Sequence, residues 1–96
     1  MAYLSLTHPV SKLAFDLLAV NHCIALHGVW FDPKHDFFYI TLEKGSSQYK
    51  LVLKQLDTHI EIRLYDDKDN TQIMRMRKYK QPKDLKKIAY KISTIL

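Results

Sequence analysis

Five histidines and a single cysteine are the first residues to test for chemistry. Cys23 and His27 stand four apart, the spacing of one helical turn, with His22 adjacent and Asp32, His35 and Asp36 following. Two ligands on a helix plus donors from a loop could bind zinc. His22 and His27, however, are five apart and point in different directions on a helix, and no Cys-x-x-Cys or His-Glu-x-x-His pattern occurs. Cys23 is therefore expected to pack as a small hydrophobe, and neither a metal nor a cofactor is expected. Gly28 and Gly45 are isolated, so they cannot form a phosphate-cradling loop. No serine stands in a nucleophile elbow. Asp66, Asp67 and Asp69 lack the spacing and the distal glutamate of a calcium loop and read as turn chemistry. These patterns point away from catalysis and towards a binding role.

The charge is the strongest functional signal. From Arg75 to Leu96 there are eight basic residues (Arg75, Arg77, Lys78, Lys80, Lys83, Lys86, Lys87, Lys91) and one acid, Asp84. Residues 1–74 carry seven basic groups against nine acids, so the formal +5 combines about −2 with about +7. One basic end on a folded domain implies a surface that meets something anionic. The composition, 47% hydrophobic with two glycines and three prolines, is that of a folded chain, and 96 residues suit one domain over residues 1–96. The lone cysteine excludes an internal disulfide and fits a reducing, cytoplasmic setting. The most apolar stretch, Leu13 to Leu26, is interrupted by Asp16, Asn21 and His22, so no transmembrane segment is expected. No signal peptide pattern is read at the start of the chain.

Elements must position these charges. Thr7-His8-Pro9 reads as a helix start capped by Thr7. Val10, Leu13, Leu17, Val20 and Ile24 recur at helical spacing, and Gly28 reads as the stop. Val29-Trp30-Phe31 is a short apolar run before the turn signal Asp32-Pro33. Four alternating strands follow. Their apolar positions are Phe38, Ile40 and Leu42; Tyr49, Leu51 and Leu53; Ile60, Ile62 and Leu64; and Met74 and Met76 with Gln72. Two-residue turns at Gly45-Ser46 and Asp57-Thr58 place Ile40 opposite Leu51, Leu42 opposite Tyr49, Leu53 opposite Ile62 and Leu51 opposite Leu64. A five-residue loop at Asp66–Asn70 places Ile62 opposite Met74. A closing helix buries Leu85, Ile88, Ala89, Ile92 and Ile95 and turns Lys83, Lys86, Lys87 and Lys91 outward. The expected fold is an α+β two-layer sandwich: helix, four-stranded antiparallel meander with room for a short extra strand at Trp30, helix, with both helices on one face of the sheet.

The same register gives the uncovered face three cross-strand rows: Phe37, Lys54, Glu61 and Arg75; Tyr39, Val52, Arg63 and Ile73; Thr41, Lys50 and Tyr65. Aromatics among cations on a sheet can stack bases and hold phosphates. The favoured reading is thus a nucleic-acid-binding module that uses Arg63, Arg75, Arg77, Lys78, Lys80, Lys83 and Lys87, with Phe37, Tyr39, Val52 and Ile73 as stacking or interface residues. The rival reading is a protein-interaction or inhibitor module that takes an acidic protein or forms a homo-oligomer through the same face.

Three families are similar in outline. The stretch from Met76-Arg77-Lys78 to Tyr90-Lys91-Ile92 resembles the closing strand and helix of the kinase-associated lipid-binding domain, which implies anionic phospholipid. The order helix, antiparallel sheet, basic helix also resembles the small signal-recognition-particle subunits that bind RNA through a sheet. A basic chain ending in Arg77-Lys78-Tyr79-Lys80 and a short helix is similar to RelE-like ribonuclease toxins, which implies messenger RNA as substrate. The first helix lacks the basic helical hairpin of that last family, and no histidine or arginine set carries over from it.

Overall fold

The computed structural model describes residues 8–79 and 81–96. Seven elements run in order: α1 (Pro9–Val20), β1 (Ile24–Asp32), β2 (Phe37–Lys44), β3 (Ser47–Gln55), β4 (His59–Asp66), β5 (Thr71–Tyr79) and α2 (Pro82–Ile95). The strands form one antiparallel sheet in sequence order. The α+β class and the helix–sheet–helix order agree with the sequence reading, but the sheet has five strands, not four.

The fifth strand joins the end of the expected helix to the Val29–Phe31 run. α1 stops at Val20 instead of continuing to Gly28. Asn21 adopts an extended conformation (φ −146°, ψ 100°), and its side-chain Oδ1 accepts a hydrogen bond from the Cys23 N–H at 3.0 Å. Such a local bond competes with the helical ladder. Beyond it, β1 pairs along its length with β2. Ile24 and Leu26 suit a strand as well as Ile24 suits a helix, so spacing alone could not separate the two. Cys23 is exposed in the turn and does not pack as a small hydrophobe. At the other end of α1, His8 is the cap residue: its Nδ1 accepts from the Val10 N–H at 3.2 Å. The expected cap Thr7 lies outside the described residues.

The meander follows the expected register through β4. Ile40 faces Leu51, Leu42 faces Tyr49, Leu51 faces Leu64 and Leu53 faces Ile62. Gly45 holds a positive φ of 63° in the β2–β3 turn, a conformation that costs other L-residues energy. At β5 the register differs by two residues: Ile62 faces Met76, and Met74 faces Leu64. Two one-residue changes cause this. β4 and β5 extend to an Asp66–Thr71 pair, which leaves a loop one residue shorter than expected and would invert the faces of β5. A bulge at Ile73, between the Leu64–Met74 and Tyr65–Gln72 pairs, then restores the parity. The aspartates around this loop do turn chemistry: Asp66 Oδ1 accepts from the Lys68 N–H and Asp69 Oδ1 from the Thr71 N–H.

One apolar cluster joins the helices to alternate strand positions. It holds Val10, Leu13, Ala14 and Leu17 of α1, Leu85, Ile88, Ala89 and Ile92 of α2, and Ile24, Ile40, Leu42, Leu51, Leu53, Ile60, Ile62, Leu64 and Met74 of the sheet. Each large side chain so buried contributes about 1.5–3 kcal/mol of transfer free energy. Ile95, expected in the buried stripe of α2, is 37% exposed. No helix among the described residues is long and apolar enough to cross a membrane.

Candidate functional site

The strand positions that alternate with the core carry the candidate site. Residues directly opposite one another on paired strands share a face. One row therefore crosses all five strands: Trp30, Tyr39, Val52, Arg63 and Arg75. It contains no acid. Beside it run Gly28, Thr41, Lys50, Tyr65 and Gln72 on one flank, and Lys54, Glu61 and Arg77 on the other. Phe37, opposite Asp32 of β1, continues the second flank, with the Lys54 ammonium 5.4 Å from its ring centroid. The expected rows change at β5, where Arg77 stands opposite Glu61 and Arg75 opposite Arg63.

Glu61 organises the cationic half. It is 8% exposed, an unusual depth for a carboxylate on a sheet face. Its Oε1 accepts from Arg63 Nε at 3.1 Å and lies 2.9 Å from Arg63 Nη2 and 3.3 Å from Arg75 Nε, and its Oε2 accepts from Arg77 Nη2 at 3.1 Å. Burial raises the carboxyl pKa. The hydrogen bonds from Arg77 and Arg63 and the charge of Arg75 outweigh it and hold the group below the ordinary glutamate value. Glu61 thus stays ionised and holds three guanidiniums at one point on the sheet. Three cations against one anion leave the cluster positive. The side chains of Arg75 and Arg77 are each 55% exposed, so both remain available to a partner. Tyr65 and then Glu61 raise the Arg63 pKa further.

Phe37, Tyr39 and Tyr65 line an open groove of about 310 Å³ together with Lys50, Val52, Lys54, Glu61, Arg63 and Asn70. The Phe37 and Tyr39 rings meet edge to face at 6.4 Å. Lys50 lies 5.7 Å from the Tyr39 centroid and 5.9 Å from that of Tyr65. The chain's own lysines therefore sit over the groove's rings, as cation–π pairs do. At the β2 end, burial and the nearby Asp32 carboxylate raise the Tyr39 pKa. Asp32 itself is held low, chiefly by its 2.7 Å hydrogen bond with His35.

The sequence-derived site residues divide. Arg63, Arg75 and Arg77 come together on Glu61, and Phe37, Tyr39 and Val52 line the groove. Ile73 lies in the bulge, 40% exposed, and no longer continues the Tyr39 row. Lys78 stands opposite buried Ile60, at core parity, so it does not share the face of Arg75 and Arg77. Lys80 lies outside the described residues. Lys83 and Lys87 are exposed on α2, whose apolar stripe enters the core. The basic end is thus split between a sheet face and a helix. The short extra strand expected at Trp30 is present and longer, but Trp30 is not among the sequence-derived site residues, because Gly28 looked like a helix stop and left no register for the run after it. The two-residue spacing Gly28–Trp30 on a strand was the available signal. Among the described residues, no group of three His, Cys, Asp or Glu side chains could hold a metal.

No protein-family model matches the chain, and no curated protein or solved structure matches it significantly.

Proposed function

We propose that this protein is a non-enzymatic module that binds nucleic acid through the outward face of its sheet. The observation that carries the reading is the convergence of Arg63, Arg75 and Arg77 on one buried carboxylate beside a groove lined by aromatic rings. Guanidiniums pinned from behind offer fixed donors to phosphates, whose neutralisation releases counterions. The neighbouring rings and Val52 supply apolar contact for bases and sugars. We read the helices as one layer covering the other face, because both contribute to the same core cluster as the inward strand positions. In that arrangement Lys83 and Lys87 of α2 lie behind the sheet and do not contact the bound strand. An exposed, unpaired Cys23 suits a reducing cytoplasmic setting.

Electrophoretic mobility shift with single-stranded and duplex RNA and DNA tests the proposal. Binding that weakens steeply with salt and is abolished by Arg75→Glu with Arg77→Glu supports it. No shift at low salt overturns it. If purified protein instead elutes as a dimer that the Val52→Glu substitution dissociates, the same face serves self-association.

A further inference from the structure

Trp30 differs from the other aromatics of this face. It is 58% exposed on the edge strand β1, directly opposite Tyr39. Its indole lies against Gly28: a Cβ built there would come within 3.0 Å of Nε1 and 3.1 Å of Cε2 and Cζ2. The absence of a side chain at Gly28 therefore lets the indole rest on the strand backbone. Among the described residues no cation or second ring packs on it, whereas Phe37, Tyr39 and Tyr65 each carry a lysine of this chain. A large, supported and uncovered ring is expensive to leave in water and is well formed to receive a flat partner. Charge decides which partner. Trp30 begins the acid-free row that ends at Arg63 and Arg75, and strand spacing places Arg63 roughly 14 Å away across the sheet. A ligand touching both ends must be a chain that offers an aromatic face at one point and anionic charge at another.

We infer that Trp30, shelved on Gly28, stacks an unpaired base of a single strand whose phosphates lie on Arg63 and Arg75. The inference rests on the proposed nucleic-acid reading and narrows it, because bases inside a duplex present edges and not faces. Trp30 is the chain's sole tryptophan, so its emission reports this ring alone.

The test titrates the protein with single-stranded oligo(U), oligo(dT) and an abasic oligonucleotide of equal length, following Trp30 emission and the anisotropy of a dye-labelled strand. The expected result is quenching by the base-bearing strands but not by the abasic one. Trp30→Leu should weaken base-bearing strands by about five- to a hundredfold, the range for loss of one base–aromatic stack, and leave abasic affinity unchanged. Gly28→Ala, whose methyl makes the indole give way by a few tenths of an ångström, should reduce quenching while leaving Trp30 in place. Salt-sensitive binding without quenching, with Trp30→Leu equal to wild type, would overturn the stacking role and leave the arginine reading intact. No binding of any strand would overturn both. Circular dichroism of each variant separates these outcomes from misfolding.

Discussion

The salt dependence of nucleic-acid binding can be worked from the face itself. Lys50, Lys54, Arg63, Arg75 and Arg77 line or flank the groove, and Glu61 lies among them. Setting the carboxylate against one cation leaves about four charges for phosphates, and a single strand gives a slope of about −0.7 per charge in log K against log salt. The expected slope is therefore about −2.8, or a loss of about fiftyfold in affinity between roughly 50 and 200 mM salt. Replacing Arg75 and Arg77 together by glutamine removes two charges, so the slope should fall to about −1.4 and the same change in salt should cost about sevenfold. Both side chains are more than half exposed, so the double variant should keep its fold, with Arg63 still pairing Glu61. The assay is anisotropy of a labelled single strand over a potassium chloride series. Lys83→Gln with Lys87→Gln provides the contrast, since these lysines sit on α2 and should leave the slope nearly unchanged. A slope near zero would show that these cations do not neutralise phosphates. So would a slope that responds to the α2 lysines and not to the arginines.

Other perturbations test the structure beneath the site. The Glu61 carboxyl is held below its ordinary value of 4.5 in the folded chain, so its stabilising effect is complete above that pH and fades as pH falls through the folded-state value. Glu61→Gln should be less stable than wild type near neutrality and converge with it in acid; melting curves that stay parallel from about pH 7 to pH 3 would contradict this. Leu51, fully buried on β3, should lose about 2–5 kcal/mol on substitution by alanine in urea unfolding, and a loss below about 1 kcal/mol would place it outside the core. Gly45→Ala should cost about 1 kcal/mol through its positive φ, and an unchanged urea midpoint would show that the turn adopts another conformation. Cys23 should react with a thiol reagent in the native protein at the rate of an exposed cysteine; a need for denaturant would contradict its place in the α1–β1 turn.

The legible and illegible parts of this fold have physical reasons. The pairing from β2 to β4 was readable because alternation and turn length are independent constraints that agreed on the same partners, Ile40 with Leu51 and Leu53 with Ile62. The α1–β1 boundary was not, because Ile24 fits both a helical and a strand period, and the deciding bond from Cys23 to the Asn21 side chain leaves no periodic trace. The β5 register failed because a shorter loop and a bulge cancel in parity, which kept Met74 and Met76 on the right face while changing their partners. The arginines were placed on the correct face for the same reason. Their exact neighbours were not, and with them the role of Glu61 as a shared counter-ion was underread: it was expected between Lys54 and Arg75, and it holds three arginines. The place of Trp30 on the face went unread with the helix boundary, although a short strand was expected there, since Gly28 could be read as a shelf only once residues 24–32 were one strand.

Whether the sheet face or α2 meets nucleic acid is read by mapping amide chemical-shift changes in isotope-labelled protein on addition of single-stranded oligonucleotide. The changes are expected to concentrate at Trp30, Tyr39, Val52, Arg63, Arg75 and Arg77, with the exposed residues of α2 nearly still. Changes centred on Lys83, Lys87 and Lys91, with the sheet unperturbed, would contradict it.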